Sequence, residues 1–295
     1  MALVAIALAF GTVLLGSWTR INGAGMTCPG WPLCHGKLIP SFADGTIWEW
    51  LHRLFAFAIA PVVLIVIVAA WRLRRRNPSL TPTVFTVGAL FIVQVLLGAA
   101  TVRLQNSPLS VMLHWATAMA FTAGLVAIAV FADESAVQPR EHNGFPVWIP
   151  LGVATIALAT MCVGAYVSSS GAGLACLSIP GCAGNIGVYT PGEMVQMLHR
   201  AFAAVTLVAS VTGVTAAFVY HAGKRVQAAM TIGVVLVFVQ VLLGFLNVVL
   251  RLPMDLREAH AGNAALLFLA FSAATFFAVA DEAPAVTPSQ TLTAS

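Results

Sequence analysis

The chain has 295 residues, of which 60% are hydrophobic and only 8% are charged. A soluble domain carries about 25% charged residues, so this composition excludes the soluble globular class. The net charge of +4 reflects loop charges of the kind that set membrane topology, and it gives no indication of nucleic-acid binding.

Eight apolar runs are long enough to cross a bilayer, which takes about 20 helical residues. They cover roughly 2–18, 47–71, 82–103, 109–131, 147–167, 191–220, 228–250 and 257–280. The first run lacks the basic segment that begins a signal peptide, so it is predicted to remain as a helix. The sequence therefore predicts an all-α membrane protein with eight transmembrane helices.

Basic residues gather in two of the links between these runs. They are Arg72, Arg74, Arg75, Arg76, Lys224 and Arg225. The positive-inside rule makes both links cytoplasmic, and eight spans then leave both termini in the cytoplasm. The loops at 19–46 and 168–190 fall outside. We expect a multi-pass protein of the cell membrane, surrounded by lipid.

The second half of the chain repeats landmarks of the first at an offset of 146 to 148 positions. The pairs are Cys28/Cys176, Cys34/Cys182, His52/His199, Arg53/Arg200, Gln94/Gln240, Gly98/Gly244 and His114/His260. An even number of helices per half predicts two four-helix bundles related as parallel repeats. The polar link 132–146 marks the boundary, giving halves 1–135 and 146–281. The Pro/Thr/Ser-rich residues 282–295 are predicted to be disordered.

Four of the five cysteines lie in the two long outer loops. Because thiols oxidise outside the cytoplasm, we predict the disulfides Cys28–Cys34 and Cys176–Cys182. The alternative is a metal pair, but neither loop supplies a second pair of ligands, and His35 is the one candidate nearby.

The histidines predict a cofactor site. His52 and His114 lie at a similar shallow depth on the outer side of the first half, and His199 and His260 repeat that arrangement in the second. Facing helices of a bundle can present two imidazoles to one iron, and histidine is a common axial ligand of haem. The alternatives are hydrogen-bonded packing histidines and a dinuclear metal site, for which too few carboxylates flank the histidines.

Charged residues near these histidines suggest further roles. Haem propionates could pair with four arginines: Arg53 and Arg200, and Arg103 and Arg251, which are predicted to correspond at an offset of 148. The alternative is that these side chains simply reach toward the interface. Glu49 precedes His52 by one helical turn, whereas the matching position of the second half is Gln196. An ionisable group beside an intramembrane cofactor is a functional hypothesis. We therefore predict unequal roles, with chemistry in one half and a permanent cofactor in the other.

Two motifs in this arrangement resemble the haem A synthase family of bacteria and mitochondria. They are Trp31-Pro32-Leu33-Cys34-His35-Gly36 and the downstream Glu49-x-x-His52-Arg53, within a match over about residues 5–280. The resemblance implies an oxidoreductase that converts the C8 methyl of haem O to a formyl group by successive hydroxylations, giving haem A for terminal oxidases.

The same resemblance implies roles for individual residues. His199 and His260 match the ligands of a resident haem b, and His52 and His114 match the substrate-haem site, with Arg53 beside it. Glu49 matches the essential glutamate, and Cys28 and Cys34 match loop cysteines that only part of the family has. Haem O synthase is the implied partner. The sequence leaves the oligomeric state and the electron acceptor undefined.

Two other classes of function remain open at this point. An electron-transfer cytochrome would hold haem b between paired histidines in both halves and would have no need of Glu49. A transporter would usually interrupt its helices near the membrane midplane. Pro61 is the one midspan proline in the histidine-bearing segments, so a transporter is the less favoured of the two.

Overall fold

The computed structural model describes residues 1–75, 77–133, 144–182 and 190–282. Eight α-helices follow one another along these residues, with one 3-10 turn at Ala172–Leu174. The helices are α1 Ala2–Ile21, α2 Thr46–Leu73, α3 Leu80–Arg103, α4 Pro108–Ala132, α5 Trp148–Ser169, α6 Pro191–Val219, α7 Lys224–Val249 and α8 Met254–Glu282. All eight are long and apolar enough to span a membrane. The predicted all-α membrane fold is confirmed.

The helix ends lie within four residues of the predicted limits, and local chemistry explains where they fall. Pro108 and Pro191 occupy the first turns of α4 and α6, where a missing N–H costs no hydrogen bond. At the start of α6 the Thr190 hydroxyl accepts from the Glu193 N–H, and the Glu193 carboxylate accepts from the Thr190 N–H. Glu193 therefore caps a helix.

Several predicted features lie outside the described residues. They are Arg76 of the basic cluster, positions 134–143 of the polar link, and the predicted disordered tail after Glu282.

Contacts between helices form two rings that share an interface. The first ring runs α1–α2–α3–α4 and closes from α4 to α1, and the second runs α5–α6–α7–α8 and closes from α8 to α5. We call these the N-terminal half and the C-terminal half; their status as two domains stays a prediction. The halves meet where α4 packs on α8, α4 on α5 and α1 on α8. Accordingly α4 and α8 are the most buried helices.

The long loops lie together at one end of the bundle, which we call the disulfide end. Arg20, near the end of α1, donates from Nη2 to Ser168 Oγ of α5 at 2.8 Å. Asn106, in the turn between α3 and α4, donates to the Gly25 carbonyl oxygen at 2.9 Å. The basic links after α2 and α6 lie at the opposite end.

Gly233 of α7 shows how closely the core is packed. It lies directly against the fully buried ring of Phe271 in α8, so that a Cβ would overlap the ring. Overpacking of this kind typically costs about 1–3 kcal/mol, and Gly233→Ala is expected to lower the thermal unfolding temperature in detergent. Gly11→Ala is the matched control, because a Cβ there meets nothing within 4 Å. Equal unfolding temperatures for the two variants would contradict this packing.

Candidate functional site

Each half carries a loop closed by a cysteine pair. Cys28 pairs with Cys34 and Cys176 with Cys182, with Cα–Cα distances of 4.7 and 4.9 Å. The predicted pairs thus lie at disulfide distance. His35, the one candidate for a further metal ligand here, instead donates from Nε2 to the Thr27 carbonyl oxygen at 2.8 Å.

Two equivalent arginines hold these loops against the helices. Arg53 donates to carbonyl oxygens of the first loop at 2.5 to 3.1 Å: Cys28, Gly30 and Leu33. Arg200 donates to carbonyl oxygens of the second loop at 2.7 to 2.9 Å: Cys176, Ser178 and Pro180. The guanidinium groups are therefore already engaged by backbone. Their predicted role at haem propionates, or for Arg53 at a substrate haem, stays a prediction.

Glu49 and Gln196 make matching contacts to the same loops. Glu49 accepts at Oε2 from the Cys28 N–H at 2.8 Å, and its Oε1 lies 2.6 Å from Arg53 Nη2. Gln196 accepts at Oε1 from the Cys176 N–H at 2.5 Å. Both residues are only 4% exposed. The difference between carboxylate and amide therefore falls at one equivalent position, where both groups also order a loop.

The four histidines lie at matching heights. His52, His114 and His260 each come six residues after the first residue of their helix, and His199 comes eight residues after its own. At 1.5 Å per residue, six residues correspond to about 9 Å below the disulfide end. The helix limits therefore place the histidines of each pair at similar depths, as the sequence predicts.

A backbone carbonyl fixes the protonation of two of these rings. His52 Nδ1 lies 3.1 Å from the Thr12 carbonyl oxygen, and His199 Nδ1 lies 3.2 Å from that of Thr160. A carbonyl can only accept, so the proton is on Nδ1 and Nε2 keeps its lone pair. This is the usual way in which a metal-binding histidine is oriented.

The rings of the C-terminal half are spaced to hold a metal ion between them. The centroids of His199 and His260 lie 6.4 Å apart, with their planes at 73°. Two imidazoles bound to opposite faces of one ion through bonds of roughly 2 Å have centroids about 6 Å apart.

The repeated glutamines of the two halves differ in their hydrogen bonds. Gln240 Oε1 accepts from Asn263 Nδ2 at 2.8 Å. Gln94 Oε1 is buried without a hydrogen-bond partner among the described residues, while its Nε2 lies 3.4 Å from His114 Nε2. Thr117 stands where α8 has Asn263, and its hydroxyl donates to the carbonyl of its own helix. Gln94 is thus left available to a bound molecule.

Arg103 and Arg251 are both exposed at the disulfide end, but they are not structural counterparts. The turn after α7 places positive φ at Arg251 and Leu252, and the turn after α3 does so at Gln105 and Asn106. The equivalent of Arg251 is therefore Gln105. The predicted contact of either arginine with haem propionates stays a prediction.

Sequence reasoning missed the groups that hold the histidines. Thr12 and Thr160 correspond at an offset of 148, as do Gly16 and Gly164 four residues later. This repeat is visible in the sequence, but threonine and glycine in an apolar helix carry no chemical signal of a site. The contacts of Glu49 and Arg53 with the first loop were missed for a similar reason, since they join residues more than 20 positions apart.

A family-wide comparison identifies the group of proteins to which this arrangement belongs. The sequence model of the COX15-CtaA family, described as cytochrome oxidase assembly protein, matches residues 1–46 and 40–272. This chain belongs to that family. The match includes both cysteine loops and all four histidines.

Individual relatives are similar over most of their length. A haem A synthase of Bacillus licheniformis is 29% identical over 264 residues, which cover 86% of each chain. A haem A synthase of Shewanella oneidensis is 26% identical over 317 residues, covering 90% of this chain and 92% of the relative. A haem A synthase of Alkalihalophilus pseudofirmus is 32% identical over 187 residues, covering 61% and 63%.

Removing Arg200 should release the second loop. Arg200→Ala is expected to raise amide hydrogen exchange within 176–182 by about tenfold or more. A hydrogen bond to a charged group contributes about 1.5–3 kcal/mol, and about 1.4 kcal/mol is tenfold in an equilibrium. Arg53→Ala is the matched control and should affect 28–34 instead. If amide hydrogen exchange in the corresponding loop stayed unchanged in each variant, the arginines would not be what holds the loops in place.

Proposed function

We propose that this protein is a haem A synthase, an integral membrane oxidoreductase that converts haem O to haem A. The observation that carries the proposal is the presence, in a chain of this family, of two histidine pairs at one depth, one accompanied by Glu49 and the other by Gln196. Family membership alone does not say which half reacts. The differences between the halves supply that assignment.

The C-terminal half is the proposed site of a resident haem b. His199 and His260 would bind its iron through Nε2. The 6.4 Å between their ring centroids suits this role, and so does the hydrogen bond from Asn263 that fixes Gln240. In addition, α6 and α7 pack along each other more extensively than α2 and α3 do. A site closed in this way suits a cofactor that stays bound.

The N-terminal half is the proposed substrate site, with His52 and His114 binding the iron of haem O. Two features support exchange of a bound molecule here: the looser packing of α2 on α3 and the unpaired Gln94 Oε1. A substrate that is itself hydrophobic would reach this half from the surrounding bilayer.

Glu49 is the proposed catalytic residue of the substrate half. With oxygen taken from water, conversion of a methyl group to a formyl group releases four protons and four electrons, and bound haem would pass the electrons to an external acceptor. Protons released in this chemistry need an acceptor, and a buried carboxylate one helical turn from His52 can act as a general base. Arg53 Nη2 lies 2.6 Å from Glu49 Oε1 and holds the carboxylate in place. The amide of Gln196 cannot play this part.

We further propose that the sites face the outer side of the plasma membrane, with both termini in the cytoplasm. The basic residues at the far end of the bundle support this orientation: Arg72, Arg74, Arg75, Lys224 and Arg225. The paired cysteines at the other end support an oxidising environment there. A haem O synthase in the same membrane would supply the substrate.

Glu49→Gln separates binding from chemistry. Gln196 shows that an amide can accept from a loop cysteine N–H in this fold, so the variant is expected to fold and to retain haem b. We expect loss of haem A and of its hydroxylated intermediate when the variant is co-expressed with a haem O synthase in a host that lacks haem A. Chromatography of the extracted haems measures this.

Gln196→Glu is the reciprocal variant. It loses the hydrogen bond from Gln196 Nε2 to the Gly173 carbonyl oxygen but leaves Glu49 in place, so conversion of haem O should persist. Two equivalents of haem b with no haem A, irrespective of Glu49, would contradict the synthase assignment and leave an electron-transfer cytochrome.

A further inference from the structure

Each of the four histidines faces a glycine on the helix that precedes its own. The pairs are Gly16 with His52, Gly98 with His114, Gly164 with His199 and Gly244 with His260. In every pair the Cε1 edge of the imidazole is the nearest part of the ring. The contact therefore occurs once per predicted iron ligand, on α1, α3, α5 and α7.

No other side chain fits at these positions without moving the ring. A Cβ at Gly16 would lie 2.6 Å from His52 Cε1, and a Cβ at Gly164 would lie 2.7 Å from His199 Cε1. At Gly98 and Gly244 the corresponding distance to the histidine is 3.2 Å. Real Cβ contacts essentially never fall below 3.0 Å. We call each of these glycine–histidine contacts a seat. The seats at Gly16 and Gly164 are consequently tighter than those at Gly98 and Gly244.

Each glycine also comes four residues after the carbonyl that the histidine faces. His52 and His199 bond to the carbonyls of Thr12 and Thr160, four residues before Gly16 and Gly164. Gln94 and Gln240 stand four residues before Gly98 and Gly244. A helical side chain covers the turn on the N-terminal side of its own Cα. A residue with a Cβ at the glycine position would therefore cover that carbonyl.

We infer that these four glycines are positioning residues for the iron ligands. By leaving the carbonyl uncovered, each lets the Cε1 edge of the imidazole approach the helix. In the two tight seats Nδ1 then donates to that carbonyl, so that Nε2 points away with its lone pair free. His114 and His260 lie in the looser seats, where Nδ1 is buried without a hydrogen-bond partner among the described residues. This inference rests on the proposed role of the histidines at iron.

The tight seat of the C-terminal half gives the sharpest test. Each full-length variant is purified from a host that makes haem b but no haem O, and is mixed with an excess of apomyoglobin. Gly164→Ala is expected to release haem b about 10- to 100-fold faster than wild type, the usual size of an effect at the outer partner of a metal-bound histidine. Its low-spin ferric electron paramagnetic resonance signal should shift as the ring turns. Gly244→Ala should show a smaller change in both.

Two controls separate a local effect from misfolding. Gly152 lies on the same helix as Gly164, and a Cβ there meets nothing within 4 Å, so Gly152→Ala should behave as wild type. Gly16→Ala should keep haem b and its spectrum unchanged, while it lowers conversion of haem O by about tenfold or more. That result would show that each glycine acts on its own site.

The outcomes distinguish this inference from the proposed function. Release and spectrum equal to wild type in Gly164→Ala would overturn the inference and leave the function standing. Loss of haem b from Gly16→Ala would also overturn it, since the effect would then be general. A wild-type protein that carries no haem b would overturn both.

Discussion

A buried imidazole that serves a metal keeps one nitrogen free for the ion, and in two of the four histidines a hydrogen bond at the other nitrogen fixes the ring. The rest of this structure depends on how that bond is made. Here the bonding partner is a backbone carbonyl of the preceding helix, as for His52 with Thr12 and His199 with Thr160. Because the acceptor is a carbonyl of the helix backbone, no additional polar side chain has to be placed in the apolar bundle to bind these two rings. The helix must only leave the carbonyl uncovered.

The two halves share one arrangement of helices and loops, and a few residue differences suit each half to a different role. Asn263 fixes Gln240 in the C-terminal half, while Gln94 remains unpaired at Oε1 in the N-terminal half. Gln196 and Glu49 hold equivalent cysteine loops, one as an amide and one as a carboxylate. A resident cofactor benefits from fixed neighbours, whereas a substrate has to enter and leave. The differences agree with the proposed division between the halves.

Features with a strong local pattern could be predicted from sequence. Hydropathy gave the eight helices to within four residues, and the spacing of the cysteines gave pairs at disulfide distance. The matched depth of the histidines also followed from helix limits. Contacts across helices could not be predicted in this way, because hydropathy does not say which faces meet. Arg53 and Arg200 therefore looked free for a ligand, although they bind their loops.

Arg103 and Arg251 show why a sequence offset alone does not identify structurally equivalent residues in the two halves. The offset between the halves changes from 148 to 146 along the chain, so a match of residue type can fall two positions away from the structural equivalent. Backbone conformation decides the case, since Gln105 and Arg251 share the positive φ. Glycines that act by having no side chain leave still less for sequence patterns to detect.

The central claim is that the halves hold different haems, and haem content measures it most directly. Wild type, His52→Ala and His199→Ala are purified from a host that has no haem O synthase, and haem b per chain is determined. We expect one haem b per chain in wild type and in His52→Ala, and almost none in His199→Ala. Two haem b in wild type, with one lost in each variant, would contradict it and show two equivalent cytochrome sites.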